Sequence, residues 1–178
     1  MKTSLLRSLW RLHLITPRGI VRLLNCFLHE GITMMATVRF AARYHTHDCA
    51  VVSDNQHVDY QDFYALAQRL SHLLYHKYHL KSGQHVALFC RNHLVSALLL
   101  PALSRLGAHV RLLNTDLSSE QLAKLMSRPF ALFIYDEELI QADSLDDICP
   151  MVSCEALLES IKRQDAIEKV ALPYIKRG

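Results

Sequence analysis

The sequence predicts an α/β fold: a partial parallel sheet preceded by amphipathic helices. Three observations carry this. From residue 50 onward, short apolar runs alternate with segments of helical periodicity. The run Val86-Ala87-Leu88-Phe89 is continuously apolar, as a strand buried on both faces requires. With 51% apolar and 21% charged residues, a 178-residue chain has a globular composition and length enough for one real core.

The first region, residues 1–43, is a basic amphipathic arm. It holds Lys2, Arg7, Arg11, Arg18, Arg22, Arg39 and Arg43 against one acid, Glu30, while the rest of the chain is slightly acidic. Such an arm suits an anionic surface. It is as rich in leucine as in arginine, which favours lipid headgroups over nucleic acid. Two short helices are expected in it. In the second, Thr16 is placed to cap and Pro17 to open the helix, where a missing N–H costs nothing. Arg18, Arg22, Asn25 and His29 share one face; Ile20, Leu23, Leu24, Phe27 and Leu28 share the other; Gly31 ends the run. Two destinations are open for the apolar face. It packs on the body, or it lies in the plane of a membrane with Leu9, Trp10 and Phe27 below the headgroups. Residues 1–30 thus define a candidate membrane contact. The longest charge-free apolar stretch, 92–104, falls far short of the roughly 20 residues of a span. The expected location is cytoplasmic, with peripheral attachment through the arm.

The second region, residues 44–178, carries the alternation. Residues 50–53 read as a strand, Asp54-Asn55 as a turn, and His57-Val58 as part of a second strand. Asp59 caps a helix over 61–78, whose stripe is Phe63, Leu66, Ala67, Leu70 and Leu74. A turn at 81–83 precedes a strand over 85–90. Residues 93–106 are helical, interrupted or kinked at Pro101 and stopped at Gly107. A strand over 108–113 follows. Ser118 and Gln121 form a capping box for a helix reaching Ser127. Pro129 breaks it before a strand over 130–135. A helix over 155–163 and a strand over 169–174 complete the reading. This order of strands and helices requires parallel pairing.

No catalytic, cofactor-binding or metal-ligating residue is assigned. His72, His76 and His79 have helical spacing but lie opposite the apolar stripe, without a local acid or cysteine. His45 and His47 sit in a loop. Cys90 with His93 is a conceivable nucleophile pair, but Cys90 ends a buried strand and reads as a packed thiol. Ser118-Ser119 is a cap. Asp136-Glu137-Glu138 and the acids of 143–147 read as solvated loops. The five cysteines, Cys26, Cys49, Cys90, Cys149 and Cys154, are odd in number and lack CxxC spacing, so reduced thiols are expected.

Three stretches together resemble the adenylate-forming superfamily, and most of all the N-terminal segment of long- and very-long-chain acyl-CoA synthetases. Val58-Asp59-Tyr60-Gln61-Asp62-Phe63 is similar to the first core motif, Leu-Thr-Tyr-x-Glu-Leu, with Asp59 for the threonine and Asp62 for the glutamate. The segment from Ser82 to Asn92 resembles the Pro-Gly-Asp-x-Val-Ala strand. The segment from Ser104 to Asn114 resembles the Lys-x-Gly-Ala motif and its strand. The Arg-Asn-His at 91–93 and Leu-Leu-Asn at 112–114 lean toward the fatty acyl branch.

The resemblance implies activation of a carboxylic acid through an acyl-adenylate, with ATP, magnesium and coenzyme A serving the complete enzyme. It also implies a Ser/Thr-Gly-rich phosphate loop ending in Pro-Lys and a C-terminal lid, neither of which these 178 residues contain. The chain's own expected cofactors are therefore none. Three readings stay open: a truncated ligase inactive alone, one half of a split ligase, or a non-catalytic module for membrane or protein interaction. The corresponding partners are the remaining portion as a separate chain, a second copy, or a membrane surface.

Overall fold

The structure is a computed structural model that describes residues 17–53, 56–126, 129–140 and 149–163. Six helices and six strands occur among these residues. Helix α1 is Pro17–Glu30 and α2 is Met34–Tyr44. Strands β1, Cys49–Ser53, and β2, Gln56–Asp59, form an antiparallel hairpin. Helix α3, Tyr60–His76, follows at once, because Asp59 accepts the Asp62 N–H at 2.8 Å and caps it. Then come β3, His85–Phe89; α4, Leu94–Leu106; β4, His109–Leu112; α5, Ser119–Met126; β5, Leu132–Tyr135; β6, Met151–Ser153; and α6, Cys154–Arg163.

The main sheet is fully parallel, in the order β4-β3-β5-β6. The central strands β3 and β5 are buried almost throughout, whereas β4, at one edge, is largely exposed. Val86, Leu88, Leu132, Ile134 and Val152 pack on α3, α4 and α6. Ala87, Phe89 and Phe133 pack on Leu122 of α5 with Phe130 and Ile140. The alternation of a strand's side chains explains the split. From the middle of the sheet, β3 leads through α4 to β4 on one side. The chain then crosses back through α5 to β5 on the other. The connections leaving β3 and β5 run to opposite sides, so the topological switch point lies between these two strands, at their carboxyl ends.

Several expectations are corrected. Helix α3 ends at His76, so His79 lies beyond it, with φ +53°. Helix α4 runs through Pro101 without interruption. The short strand β6 is absent from the sequence reading, and α2 was not distinguished within the arm. Met35 of α2 enters the main core, and the Met34 N–H donates to Ser104 Oγ at 3.0 Å, tying α2 to α4. Helix α1 buries Gly19, Cys26 and Glu30, whereas Ile20, Val21, Leu24 and Leu28 of its apolar face stay exposed. The expected first helix and the strand over 169–174 lie outside the described residues. At the amino end of the sheet, Gly107 ends α4 with φ +70°, and a Cβ there would stand 2.6 Å from Ser82 Oγ.

Candidate functional site

The carboxyl ends of β3, β5 and β6 carry the densest chemistry among the described residues. Phe89 pairs with Tyr135, and Tyr135 with Ser153. The next residue along each strand is therefore Cys90, Asp136 and Cys154, a row across three neighbouring strands. They continue the face of Leu88, Ile134 and Val152, toward α4 and α6. The first turn of α4 and the start of α6 both reach this row, and helix N-termini favour negative charge.

Asp136 is only 3% exposed. Its Oδ2 accepts the Arg91 N–H at 2.6 Å, and its Oδ1 lies 2.7 Å from His93 Nε2. His93 is itself the N-cap of α4. Its Nδ1 accepts from Val95 and Ser96 N–H at 3.2 and 3.4 Å, and Ser96 Oγ accepts the His93 N–H in return at 3.0 Å. Two backbone donors on Nδ1 assign the ring hydrogen to Nε2, so His93 donates to Asp136. Burial pushes the Asp136 carboxyl up, but the Arg91 N–H, the His93 ring and the Cys154 thiol outweigh it and hold the carboxyl below its usual range. Arg91 sends its guanidinium outward to Glu138, at 2.7 Å, and not to Asp136.

The two thiols meet beside this carboxylate, with Cys90 Sγ 3.2 Å from Cys154 Sγ and 3.5 Å from the Ile134 carbonyl oxygen. The Cys154 thiol is pushed far up, first by the hydrogen bond it shares with Cys90, then by burial and the neighbouring negative charge. Among the described residues, one group of at least three potential metal-ligating side chains gathers: Cys90, Asp136 and Cys154, whose ligand atoms all lie within 4.8 Å of one another.

A second buried carboxylate ties the arm to the body. Glu30, at the end of α1, lies 2.9 Å from Arg39 Nη1 and 3.1 Å from Arg105 Nε, and accepts from Tyr64 Oη at 2.6 Å. Gln68 donates to the Tyr64 oxygen at 2.8 Å. Burial pushes the Tyr64 phenol up, and the hydrogen bond to Glu30 and its charge add to this. Four helices thus meet on one carboxylate.

The other sequence candidates do not converge. His72 and His76 stack at 5.2 Å, and His45 pairs with Asp48 at 3.0 Å. Ser118 is a cap, exchanging hydrogen bonds with Gln121 at 3.3 and 3.1 Å. Cys90 and His93 do not pair with each other; each has a different partner across the row. Asp136 is the clear correction. It reads in sequence as part of a solvated loop and is buried, because it follows a buried strand without a break. The acids of 143–147 lie outside the described residues.

Residues 38–173, well over half of the chain, match the AMP-binding enzyme family. The fold is similar to the N-terminal subdomain of NpsA from Klebsiella oxytoca in complex with anthranilyl-AMSN. The TM-score is 0.65 at 14% identity, covering 80% of this chain and 35% of that one. It is similar also to O-succinylbenzoate coenzyme A synthetase from Bacillus subtilis in complex with ATP and magnesium. There the TM-score is 0.61 at 20% identity, covering 68% of this chain and 33% of that one. The same synthetase with its acyl-adenylate intermediate gives 0.62 at 20% identity, covering 71% and 33%. This chain thus spans about a third of the length of those structures. A search of curated proteins returned no match. The parallel sheet and the match across residues 38–173 place this chain in the AMP-binding enzyme family.

Proposed function

We propose that this chain is the N-terminal segment of a ligase that activates a carboxylic acid as its adenylate, with fatty acids as the substrate class and coenzyme A as the acceptor. The carrying observation is that the family match over 38–173 includes the whole parallel sheet and the helices α3 to α6 that cover it. The fatty acyl assignment is supported more narrowly, by the resemblance at Arg91-Asn92-His93 and Leu112-Leu113-Asn114 and by the basic arm.

The residues described do not fit ATP or magnesium. Phosphates need a glycine-rich cradle of free N–H groups. Here the positive-φ glycines are Gly31, Gly83 and Gly107, and the last two hold each other, Gly83 N–H donating to the Gly107 oxygen at 2.9 Å. Magnesium favours an oxygen shell, and the ligand cluster found among the described residues brings two thiols. In this reading the chain supplies scaffold and is inactive alone. ATP–pyrophosphate exchange tests it, with aryl, short-chain and long-chain acids. The whole gene product is expected to exchange most with long-chain acids, and the isolated 178 residues not at all. No exchange by the whole product across the panel overturns the ligase reading. Exchange by the isolated chain overturns the inactivity.

A second reading concerns the arm. No helix among the described residues is long and apolar enough to cross a membrane. Helix α1 nevertheless exposes Val21 and Leu28 at 65% and 76%, beside Ile20 and Leu24, with Arg18 and Arg22 on its polar side. We propose that this face rests on an anionic lipid surface. Liposome flotation checks it: the chain should float with vesicles containing phosphatidylserine, and Val21→Asp/Leu28→Asp should not. Equal flotation of both proteins removes the reading.

A further inference from the structure

We propose that Cys90, Cys154 and Asp136 form a binding site for one thiophilic divalent cation of the zinc class, at the carboxyl edge of the sheet. Asp136 is a buried carboxyl in the middle of the row. Its oxygens meet the Arg91 backbone N–H at 2.6 Å and the His93 ring at 2.7 Å, and both thiols lie within 4.8 Å. The adjacent guanidinium, on Arg91, is turned out to Glu138. A buried carboxylate without a cation is costly, and a bound cation removes that cost.

The two sulfurs specify which kind of cation. Soft thiolates select zinc-like ions over magnesium or calcium. The spacing suits an ion better than a disulfide. Strand β5 stands between the strands that carry Cys90 and Cys154, so their backbones lie nearly two strand spacings apart, roughly 8–9 Å. A disulfide spans about 7 Å at most. Two sulfurs bound tetrahedrally at about 2.3 Å from a metal stand about 3.8 Å apart. The observed 3.2 Å reaches that by opening about 0.6 Å, within side-chain rotation.

The two S–H bonds break, two protons leave to solvent, and two S–metal bonds form. Asp136 donates a carboxylate lone pair beside the one engaged by Arg91. No redox change occurs. Three anionic ligands on a divalent ion leave one negative charge, facing the N-terminal turns of α4 and α6. His93 holds Asp136 from outside, as a positioning residue. Cys90 is only half-buried, which leaves the fourth position for water.

Cobalt(II), added to the reduced full chain, is the probe. One equivalent is expected to produce thiolate-to-cobalt charge-transfer absorption in the near ultraviolet and tetrahedral bands in the visible. Cys90→Ser should lose about half of the charge-transfer intensity, and Cys90→Ser/Cys154→Ser all of it. His72→Ala/His76→Ala should change nothing. Where a cysteine variant fails to fold, alkylation of the wild-type chain decides. Zinc should slow labelling of Cys90 and leave exposed Cys49 unchanged. Absence of the charge-transfer band, its persistence in the double variant, or unaltered Cys90 labelling each overturns the site.

Discussion

Two buried carboxylates organise this molecule, and they are matched in opposite ways. The Glu30 side chain, 2% exposed, faces two guanidinium groups and a phenol, contributed by α2, α3 and α4. The Asp136 side chain, 5% exposed, faces a backbone N–H, an imidazole and two thiols. Permanent cations complete the first set within the fold. No guanidinium completes the second set, since that of Arg91 turns to Glu138. Glu30 therefore acts as a structural fastener between arm and body, while Asp136 is equipped to receive something. Burial alone does not distinguish a scaffold carboxylate from a candidate ligand; the charge of its partners does.

The largest effect should come from breaking the fastener. Glu30→Ala leaves Arg39 and Arg105 facing each other across a partly buried gap and removes the acceptor for Tyr64. Truncating one partner of such a buried set costs about 3–5 kcal/mol. Urea unfolding should show that loss, and proteolysis should first release α1 and α2. A loss below about 1 kcal/mol would mean that the arm docks by apolar contact, with Glu30 incidental.

A smaller effect should follow at Asp136. Asp136→Asn keeps the shape but offers one oxygen where two donors, Arg91 N–H and His93 Nε2–H, each require an acceptor. The amide must turn its NH2 toward one of them. The expected cost is about 2–3 kcal/mol, with the N-terminal turn of α4 loosened through His93. Amide hydrogen exchange should therefore rise at Val95 and Ser96, the donors to His93 Nδ1. Unchanged exchange there would uncouple the carboxylate from the cap and remove the contrast with Glu30.

The scaffold was more legible in the sequence than the site. Local signals carried most elements: the apolar run of β3, the Asp59 cap, the Ser118–Gln121 box and the Gly107 stop all act within a few residues. The site depends on register. Cys90, Asp136 and Cys154 are 46 and 18 positions apart and meet only because three strands align. Asp136 sits in an acidic triplet that resembles a solvated turn. Its signal was the unbroken run Leu132-Phe133-Ile134-Tyr135 ending on it, which carries burial one residue further. His93 was hidden for another reason, since histidine is outside the preferred N-cap set. Glu30 was visible as the one acid in a basic arm, yet its partners Tyr64 and Arg105 lie 34 and 75 residues away, and no periodicity links them.

The smallest effect tests the Glu30 set by pH. Tyr64 keeps its proton more tightly in the folded chain than in the unfolded one, through burial and the adjacent Glu30. A group raised in the folded state contributes stability that is complete below its unfolded pKa, about 10 for tyrosine, and is lost as pH rises toward the folded value. At pH 8, Tyr64→Phe should cost about 1.5 kcal/mol, one hydrogen bond to a charged acceptor that keeps both arginines. Above pH 10 the wild-type chain should lose stability relative to Tyr64→Phe by about 1.4 kcal/mol per pH unit, because the folded state holds a proton that the unfolded state has released. The two unfolding curves should converge near pH 11. A difference that stays constant from pH 8 to pH 11 would show that the Tyr64 hydroxyl is not held by Glu30, leaving the two arginines as that carboxylate's sole effective partners.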